Sequence, residues 1–537
     1  MRNYDTEVLI VGAGPVGMAL ALDLRQRGVD FIEVEASDGT IAHPKVGTVG
    51  PRSMELFRRW GVAGRIRTAG WPGDHPLDIA WVTAVGDHEI HRLDFGTADS
   101  RPELPYTPEP EHPCPQHWLA PLLAREVGVH PDGPLRLRCR LDGFTQDPEG
   151  VSATLTDLAD GGTTLTVRAR YLVACDGAAS PVRKAAGIEA PRRHATRVFR
   201  NILFRAPRLR GQLGERNALV YFLTRPPALR FPLRSMDGQG LYRLTVGVRE
   251  GEPAAHGDAL TMVRAAIAPE TPVQILSENV WYLTHRVAER FRDGRVLLAG
   301  DAAHTLSPSG GFGMNTGIAD AADLGWKLAG ELAGWAGPGL LDAYATERRP
   351  VAERSLEEAN VHLMRTMRRE LPGEILLDSA EGARARAELS AGMERGGVRE
   401  EFDSPDVHFG FRYTSPLIAG GDEGEGEGDW RTKAVPGARA PHTWLGEGAS
   451  TLDLFGRAFV LLCFTEAHGT EAAEKAAQDA FARRRVPLET VRLEAHRAVA
   501  ELYGSPYVLV RPDGHVAWCG ARLPAEPGAW ADRMRGA

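Results

Sequence analysis

The sequence predicts an α/β protein made of a parallel sheet, an inserted antiparallel sheet and a small C-terminal α/β domain. Three observations predict this architecture: an apolar strand, glycine-rich turn and helix open the chain; alternating segments occupy its middle; and an acidic, glycine-rich stretch precedes the last hundred or so residues. A chain of 537 residues is too long for one compact core, so two or three domains are expected.

The opening elements predict a βαβ unit. Residues 7–11 are apolar and predict a buried parallel strand, residues 18–27 the helix that follows, and residues 31–35 a second strand. Two later apolar, β-branched runs at residues 168–175 and 295–299 predict strands that return to the same sheet. We therefore expect a parallel sheet with helices packed on it.

The middle of the chain predicts antiparallel strands. Residues 198–205, 219–223, 229–233 and 240–248 alternate apolar and polar side chains, with turn residues between them. This alternation is typical of a sheet with one solvated face. It predicts a separate domain inserted into the first one.

The remaining segments predict helices, a linker and a final domain. Residues 317–369 have a helical pattern, which Pro338 and Pro350 are expected to interrupt. Residues 419–430, AGGDEGEGEGDW, are rich in glycine and acidic residues and predict a flexible linker or an exposed loop. The strands and the helix of a small α/β domain are predicted at residues 458–464, 471–485, 507–511 and 515–518.

Composition excludes several classes of protein. The net charge of −8 is spread along the chain, without the basic patch that nucleic-acid binding requires. No apolar stretch reaches the roughly 20 residues of a membrane helix, and the N-terminus lacks the features of a secretory signal. The five cysteines lack C-x-x-C spacing, so neither a disulfide framework nor a zinc site is expected, and no metal is predicted. A reducing cytoplasm is the expected location.

The first motif lies between the opening strand and helix. Its glycines allow a tight turn and bring a pyrophosphate close to backbone N–H groups at a helix N-terminus, where the helix dipole favours an anion. Glu35 ends the second strand and can accept hydrogen bonds from ribose hydroxyls. The motif predicts a dinucleotide site without separating NAD from FAD, and its alternative is an ordinary glycine turn. The residues concerned are Gly12, Gly14, Pro15, Val16 and Gly17.

Two further motifs follow buried strands. One is Asp176-Gly177-Ala178-Ala179-Ser180-x-x-Arg183, and the other is Gly300-Asp301-Ala302-Ala303-His304 with a glycine-rich turn downstream. In this order the three motifs resemble those of the group A flavoprotein aromatic hydroxylases, which have the fold of para-hydroxybenzoate and phenol hydroxylases. The resemblance implies a Rossmann-like FAD-binding domain with an inserted antiparallel-sheet substrate domain and a C-terminal thioredoxin-like domain.

The resemblance implies which residues bind FAD. Asp301 is expected to bond the ribityl hydroxyls, and the helix N-terminus at Met314 and Asn315 to face the pyrimidine edge, where negative charge accumulates on reduction. Gln116 is implied as a further contact. Lys45 stands where the family commonly has arginine. Lysine has the same positive charge but lacks the planar guanidinium that can form two parallel hydrogen bonds. The alternatives are a helix N-cap for Asp301 and a solvated loop residue for Lys45. The other expected contacts are Asp176, Gly177, Gly300, Pro308, Gly311 and Gly313.

The resemblance also implies the domain boundaries and the chemistry. The FAD-binding domain is expected at residues 1–75, 106–185 and 285–405, the substrate domain at 76–105 and 186–284, a linker at 406–430 and the C-terminal domain at 431–537.

A monooxygenase that uses NAD(P)H and dioxygen is implied, in which FAD performs the oxidation chemistry and no catalytic side chain is assigned. The C-terminal domain lacks C-x-x-C and is expected to serve packing or dimerisation. NADH or NADPH, and monomer or homodimer, remain open.

A narrower resemblance concerns the substrate. HPKVGTVGPRSMELFRRWGVA, FRNILFRAPRLRGQLGERNALV and LRFPLRSMDGQGLYRLTVG are similar to the indolocarbazole-forming flavin enzymes of rebeccamycin and staurosporine biosynthesis. This similarity extends over nearly the whole chain. It implies antibiotic biosynthesis, a cytochrome P450 as functional partner, and oxidative decarboxylation of a carboxylated indolopyrrole derived from chromopyrrolic acid.

Candidate substrate residues follow from the same resemblance. Arg230 and Arg234 alternate with apolar positions and Arg243 lies on the next strand, so Arg234 and Arg243 are expected to hold a carboxylate, with surface arginines as the alternative. Val220 is typical of the staurosporine type and Arg243 of the rebeccamycin type, which leaves the oxidation level of the product open. Glu401 is expected to accept hydrogen bonds from substrate N–H groups, unless the Glu400–Glu401 pair is solvated.

Two other functions remain open at this point. One is hydroxylation of an aromatic polyketide or phenol, which shares every flavin motif but needs no carboxylate clamp. The other is a flavoprotein that mainly sequesters a reactive intermediate. Substrate trials separate the first alternative, and a colourless protein that binds the intermediate tightly would favour the second.

Overall fold

The structure is a computed structural model that describes residues 5–45, 47–130, 133–225, 231–248, 257–419, 429–464 and 471–537. In the described residues up to 283 the elements are β1 (Thr6–Val11), α1 (Pro15–Gln26), β2 (Phe31–Glu35), β3 (Thr48–Val49), α2 (Pro51–Arg59), α3 (Ala63–Arg67), β4 (Ile79–Val82), β5 (Glu89–Leu93), β6 (His112–Pro113), α4 (Gln116–Val127), β7 (Leu135–Leu137), β8 (Cys139–Gln146), β9 (Val151–Asp157), β10 (Thr163–Ala174), α5 (Pro181–Ala185), β11 (Arg197–Arg205), α6 (Leu209–Leu213), β12 (Val220–Leu223), β13 (Pro232–Ser235), β14 (Leu241–Val248), α7 (Ala259–Ala266) and β15 (Gln274–Leu283).

From residue 284 onward, the described residues form β16 (Arg286–Val287), β17 (Arg292–Asp293), β18 (Val296–Leu298), β19 (His304–Thr305), α8 (Phe312–Leu332), α9 (Asp342–Arg368), α10 (Ala380–Arg395), α11 (Pro405–His408), β20 (Trp444–Gly446), β21 (Ala449–Ser450), β22 (Phe459–Cys463), α12 (Glu471–Arg483), β23 (Leu488–Arg492), α13 (Arg497–Tyr503), β24 (Tyr507–Val510), β25 (Val516–Gly520) and α14 (Pro527–Met534).

The first domain is built on a mixed eight-stranded sheet. Its main path is β17-β18-β10-β1-β2-β7, and the antiparallel strands β9 and β8 extend from β10. β1 pairs in parallel with β2 and β10, and β10 with β18, which confirms the predicted parallel centre. Most side chains of β1 and β18 and of the second half of β10 are apolar, as in a sheet that is buried on both faces. Helix α1 begins at Pro15, three residues before the predicted start, because proline suits the first helical position.

The inserted domain is a seven-stranded, mainly antiparallel sheet with the order β15-β11-β14-β13-β12-β4-β5. One face packs against α6 and α7 through an apolar cluster that includes Phe204 and Val263. The other face is turned towards the first domain. The strand expected at residues 229–233 is β13, which runs from Pro232 to Ser235. Arg230 lies outside the described residues.

Two long helices follow the last parallel strand. α8 begins at Phe312, and α9 continues from Asp342 to Arg368. The expected interruption at Pro350 is wrong, because that proline lies inside α9. Proline removes one helical hydrogen bond, and burial of neighbouring side chains such as Arg348 and Ala352 outweighs that loss.

The C-terminal domain contains a four-stranded sheet with the order β23-β22-β24-β25. One face packs on α12, α14 and the end of α8, where Trp326 contacts Phe459. Of the predicted linker, the structure describes residues 406–419 and 429–430. Phe409, Phe411 and Trp430 are buried there, so these parts of the segment pack on the protein rather than form an exposed loop.

None of the described helices is long and apolar enough to cross a membrane. Among the same residues there is no cluster of His, Cys, Asp and Glu suited to a metal ion. All five cysteines are buried, and none forms a disulfide.

Candidate flavin and substrate site

The turn between β1 and α1 has the shape that an anion site needs. Gly12 has φ of +103°, a conformation that favours glycine, and a Cβ on Gly17 would collide with the carbonyl oxygen of Gly12. Nothing lies within 4 Å of where a Cβ on Gly14 would be. α1 begins without a side-chain cap, so its first N–H groups can receive a phosphate.

Glu35 supports this turn at the end of β2. Its Oε2 accepts the N–H of Ala13 at 3.0 Å, and its Oε1 accepts the N–H of Ser37 at 2.8 Å. The side chain is half-buried. Each carboxylate oxygen keeps a further lone pair, so Glu35 can still accept a ribose hydroxyl.

Asp176 acts partly as a helix cap. Its Oδ2 accepts the N–H of Val182 at 3.0 Å, at the start of α5. Its Oδ1 is buried without a partner among the described residues, and burial raises its pKa. Next to it, Gly177 has φ of +81° and open space where a side chain would be. One acceptor and one open glycine therefore face the same cleft.

Asp301 follows β18 in a 3₁₀ turn that spans Gly300–Ala302. Gly300 has φ of +58°, and a Cβ there would lie 2.9 Å from Val16. The Asp301 side chain is not a helix cap, and within the described residues its carboxylate makes no hydrogen bond. The Asp301 side chain is exposed to solvent. The protein groups around it still desolvate the carboxylate and raise its pKa.

The N-terminus of α8 is also open. Gly311 caps the helix with φ of +69°, and neither Gly311 nor Gly313 has any atom within 4 Å of a Cβ position. Asn315 does not point a free amide into this space: its Oδ1 accepts the N–H of Gly50 at 2.8 Å and its Nδ2 donates to the Gly311 carbonyl at 2.7 Å. Asn315 thus braces the turn. Pro308 and Met314 flank it, exposed and half-buried.

Lys45 and Gln116 are brought together by a backbone contact. The Lys45 N–H donates to Gln116 Oε1 at 3.0 Å, at the start of α4. The Lys45 side chain is exposed, and Gln116 is half-buried. Gln116 therefore holds the loop that carries the lysine.

Two arginines and a valine line up across three neighbouring strands. Val220 pairs with Arg234, and Arg234 with Arg243, so all three side chains lie on the sheet face that is turned towards the first domain. Arg243 donates to the carbonyl oxygens of Pro44 and Lys45 at 2.7 and 3.1 Å.

The electrostatics of the arginine pair are unusual. Arg234 donates to the Thr48 hydroxyl, and the Nε atoms of Arg234 and Arg243 are buried without partners. Desolvation lowers each pKa to about 10, with Arg243 also lowering that of Arg234. Both remain charged at neutral pH, and no carboxylate among the described residues forms an ion pair with either. The pair therefore carries positive charge that no described side chain neutralises.

Aromatic side chains flank the arginines on the same sheet face. On one side, Trp81 stacks on Phe222 with ring centroids 5.2 Å apart, and Phe402 packs edge-on against both. On the other side, Phe199 stacks on Trp281 at 4.9 Å. A planar aromatic ligand can lie between such walls.

Glu401 is buried rather than solvated. It ends the 3₁₀ turn Val398–Glu401, next to Phe402, and only 3% of its surface is exposed. Desolvation raises its pKa to about 7, although Arg369 and Arg365 lower it. Glu400, by contrast, is exposed.

Sequence reasoning missed three residues here. His43 contacts Ser277 at 3.0 Å and keeps a buried, unpartnered Nε2, while Thr48 holds Arg234. Arg136 pairs in register with Val34 beside Glu35, and its Nε is buried without a partner. The strand position of Arg136 was a usable signal. His43 lies on a loop and Thr48 begins β3, and their partners Ser277 and Arg234 are 234 and 186 residues away, so no spacing indicated them.

These features together define a flavin-binding oxidoreductase whose second sheet carries an arginine pair flanked by aromatic side chains. The open glycines, the uncapped helix N-termini and the unpartnered Asp176 and Asp301 oxygens fit a dinucleotide whose ring system lies against α8. Comparison with known proteins gives the same class.

Residues 5–359 match the family model "FAD binding domain", and residues 433–536 match "Aromatic-ring hydroxylase, C-terminal". The structure of the rebeccamycin biosynthetic enzyme RebC with reduced flavin is 61% identical, covers 99% of both chains and has a TM-score of 0.94. A ternary complex of aklavinone-11 hydroxylase with FAD and aklavinone is 30% identical, covers 100% of this chain and 99% of that one, and has a TM-score of 0.82. The tetracenomycin A2 monooxygenase-dioxygenase of Streptomyces glaucescens is 33% identical over 98% of this chain and 95% of its own.

The chain belongs to the family of FAD-dependent aromatic-ring hydroxylases, and it is a monooxygenase of that family. The predicted resemblance, the α/β fold and the FAD cofactor are thereby confirmed. The domain boundaries and the roles of individual site residues stay predictions.

Proposed function

We propose that the protein is a monooxygenase that oxidatively decarboxylates a carboxylated indolopyrrole or indolocarbazole, in antibiotic biosynthesis in the cytoplasm. The observation that carries this proposal is the charged, half-buried pair Arg234 and Arg243, whose Nε atoms are buried and which has no carboxylate partner among the described residues. A planar aromatic acid satisfies both the cation pair and the aromatic walls. RebC, which is similar over the whole chain, was soaked with chromopyrrolic acid.

The roles follow from the site. FAD supplies the activation of dioxygen, with NAD(P)H as the proposed electron donor. Arg234 and Arg243 hold the carboxylate, Val220 borders it, and Glu401 accepts a substrate N–H. In a hydroxylative decarboxylation one oxygen atom enters the ring carbon that loses carbon dioxide, the other leaves as water, and NAD(P)H supplies two electrons. An unstable substrate of this kind would be supplied by a one-electron aryl-coupling enzyme, for which a cytochrome P450 is the proposed partner.

A second candidate is hydroxylation of an aromatic polyketide. The likeness to aklavinone-11 hydroxylase and to the tetracenomycin A2 enzyme favours it. That function leaves the arginine pair without an anion, so we rank it second.

The deciding experiment gives the purified enzyme NAD(P)H, dioxygen and either a carboxylated indolopyrrole, its methyl ester or a polyketide quinone, with products identified by mass. We expect loss of carbon dioxide from the acid alone. Arg234→Met should weaken binding of the acid by about 2–5 kcal/mol while binding of the ester changes little. Turnover of the quinone with an inert acid would establish the second candidate instead.

A further inference from the structure

A chain of buried polar groups leads away from the flavin-binding turn Gly300–Ala302. Asp320, on α8, accepts the Gly300 N–H at 3.1 Å and binds His304 Nε2 at 2.7 Å through its Oδ2. Its Oδ1 accepts Arg348 Nε at 2.7 Å. The Asp320, His304 and Arg348 side chains are fully buried. One carboxylate therefore joins the turn to α9.

Arg348 carries the connection onward. Its Nη2 donates to the Thr316 carbonyl near the start of α8 at 3.1 Å, and its Nη1 donates to the Tyr413 hydroxyl at 3.1 Å. A guanidinium is planar and presents its donors in a fixed fork, so these three partners fix one another's positions. Arg348 thus connects Tyr413 both to Asp320, which binds the Gly300–Ala302 turn, and to the start of α8 at Thr316.

Tyr413 is held by the C-terminal domain. Its N–H donates to the Gly437 carbonyl at 2.9 Å, and its ring lies 4.3 Å from that of His515. His515 belongs to the hairpin tip, residues 511–515, between β24 and β25. The position of Tyr413 is therefore set by that domain.

Glu347, next to Arg348, binds the same hairpin tip. It accepts Arg511 Nη1 and Lys327 Nζ, both at 2.6 Å, and Arg511 Nη2 also donates to Asp323 at 3.0 Å. These side chains are at most 1% exposed. Glu347 of α9 thus binds the hairpin tip, and its neighbour Arg348 binds Asp320, which holds the flavin-binding turn.

Buried ion pairs of this kind contribute little net stability, because desolvation offsets their attraction. They do fix geometry strongly. Burial would raise the pKa of Asp320, but His304 and Arg348 outweigh that effect and hold the pKa below its usual value, so the carboxylate is charged at neutral pH. The Gly300 N–H is thereby bound to a permanent anion.

We propose that the C-terminal domain positions the flavin-binding turn through Asp320, Arg348 and Tyr413, which act as positioning residues for FAD. The domain then has a function besides packing. The inference goes beyond the proposed substrate chemistry and needs only that the chain holds FAD, so it stands or falls independently of the carboxylate clamp.

The test uses the full-length holoenzyme and single-atom changes. Tyr413→Phe removes only the hydroxyl that meets Arg348, and it should weaken FAD binding about threefold and shift the flavin midpoint potential. Asp320→Asn should weaken FAD binding about tenfold and raise the potential, since a negative charge is lost near the reduced, anionic flavin. The FAD dissociation constant is measured by flavin fluorescence and the potential by dye equilibration.

Tyr503→Phe is the matched control, because the Tyr503 hydroxyl donates to the Pro441 carbonyl at 2.9 Å inside the C-terminal domain. It should lower the melting temperature as Tyr413→Phe does and leave FAD binding and potential unchanged. If both tyrosine variants lower the melting temperature equally and neither alters FAD binding or potential, the connection is only structural and the inference is overturned. Should Asp320→Asn fail to fold, Tyr413→Phe decides alone.

Discussion

Arg234 and Arg243 are two cations that lie side by side on one sheet face. Desolvation lowers the pKa of each guanidinium to about 10. The contacts with Thr48, Pro44 and Lys45 satisfy some of their N–H groups but none of their charge. A carboxylate ligand would remove that electrostatic cost. The charge of these two residues therefore indicates an anionic ligand.

Thermal stabilisation by ligands gives one prediction at this scale. A carboxylated aromatic ligand at 100 times its dissociation constant should raise the free energy of unfolding by about 2.7 kcal/mol, whereas the decarboxylated compound at the same concentration should raise it much less. Differential scanning fluorimetry measures both. In Arg243→Met the two compounds should become alike; a difference that survives in this variant would contradict the clamp.

Glu401 gives a second prediction, on pH. Burial raises its pKa to about 7, whereas an exposed glutamate titrates near 4.5. The folded protein thus holds a proton that the unfolded chain loses, and the free energy of unfolding falls as pH rises between these values and levels off above them. The contribution of Glu401 is about 3 kcal/mol.

The measurement is denaturant unfolding of wild type and Glu401→Gln at pH 5 and pH 8. The glutamine cannot ionise, so the variant should lose less stability than wild type over this interval. Glu400→Gln is the control, because Glu400 is exposed and should leave the pH dependence as it is. Equal losses in wild type and Glu401→Gln would contradict a buried, titrating carboxyl.

At the scale of elements, the packing of α1 on the turn after β1 depends on Gly17. A Cβ there would collide with the Gly12 carbonyl and approach Glu33 Oε1 to 2.7 Å. Gly17→Ala should therefore push α1 away from the turn, weaken FAD binding about tenfold and lower the free energy of unfolding by about 1–3 kcal/mol.

FAD titration and denaturant unfolding check this prediction. Gly211→Ala, in the short exposed helix α6, is the control, since nothing lies within 4 Å of its Cβ position. It should retain FAD and gain stability slightly, as alanine favours helix. Full FAD retention by Gly17→Ala would show that the turn tolerates displacement.

Much of the secondary structure was predictable from the sequence, for physical reasons. β1 and the second half of β10 are apolar runs of strand length, which identify them without an alignment. The helix through Pro350 was not predictable, because tertiary burial of α9 overrides a local preference. Likewise, the motifs predicted Asp301, but the contact of Gln116, at the start of α4, with the Lys45 N–H joins a helix to a loop 71 residues away. Burial of Glu401 follows from the packing of Phe402, which sequence alone does not reveal.

For the whole molecule, the first and C-terminal domains share both an apolar cluster around Trp326 and the ion pairs of Arg511. We expect them to unfold together, in one calorimetric transition. Arg511→Met removes the cation that Asp323, Glu347 and Asp513 share, leaves the first two with Lys327 as their ion-pair partner, and should destabilise this contact by about 3–5 kcal/mol. The C-terminal domain should then melt first, as a separate peak at lower temperature.

Arg497→Met is the control for that experiment. Its ion pair with Glu501 lies in the same domain but is 92% and 67% exposed, so its loss should change little. Two separate peaks already in the wild-type protein would contradict the shared unfolding.

The five buried thiols have a consequence for the working life of the enzyme. A reduced flavin that meets dioxygen without substrate releases hydrogen peroxide, and peroxide attacks thiolates rather than thiols. Burial raises the pKa of Cys114 and Cys463 to about 12, and that of Cys175 well above its usual value, so thiolate is scarce. Oxidation of the protein should therefore begin as sulfoxide formation at half-buried methionines such as Met314 and Met364. The enzyme should lose activity before its content of reduced cysteine falls.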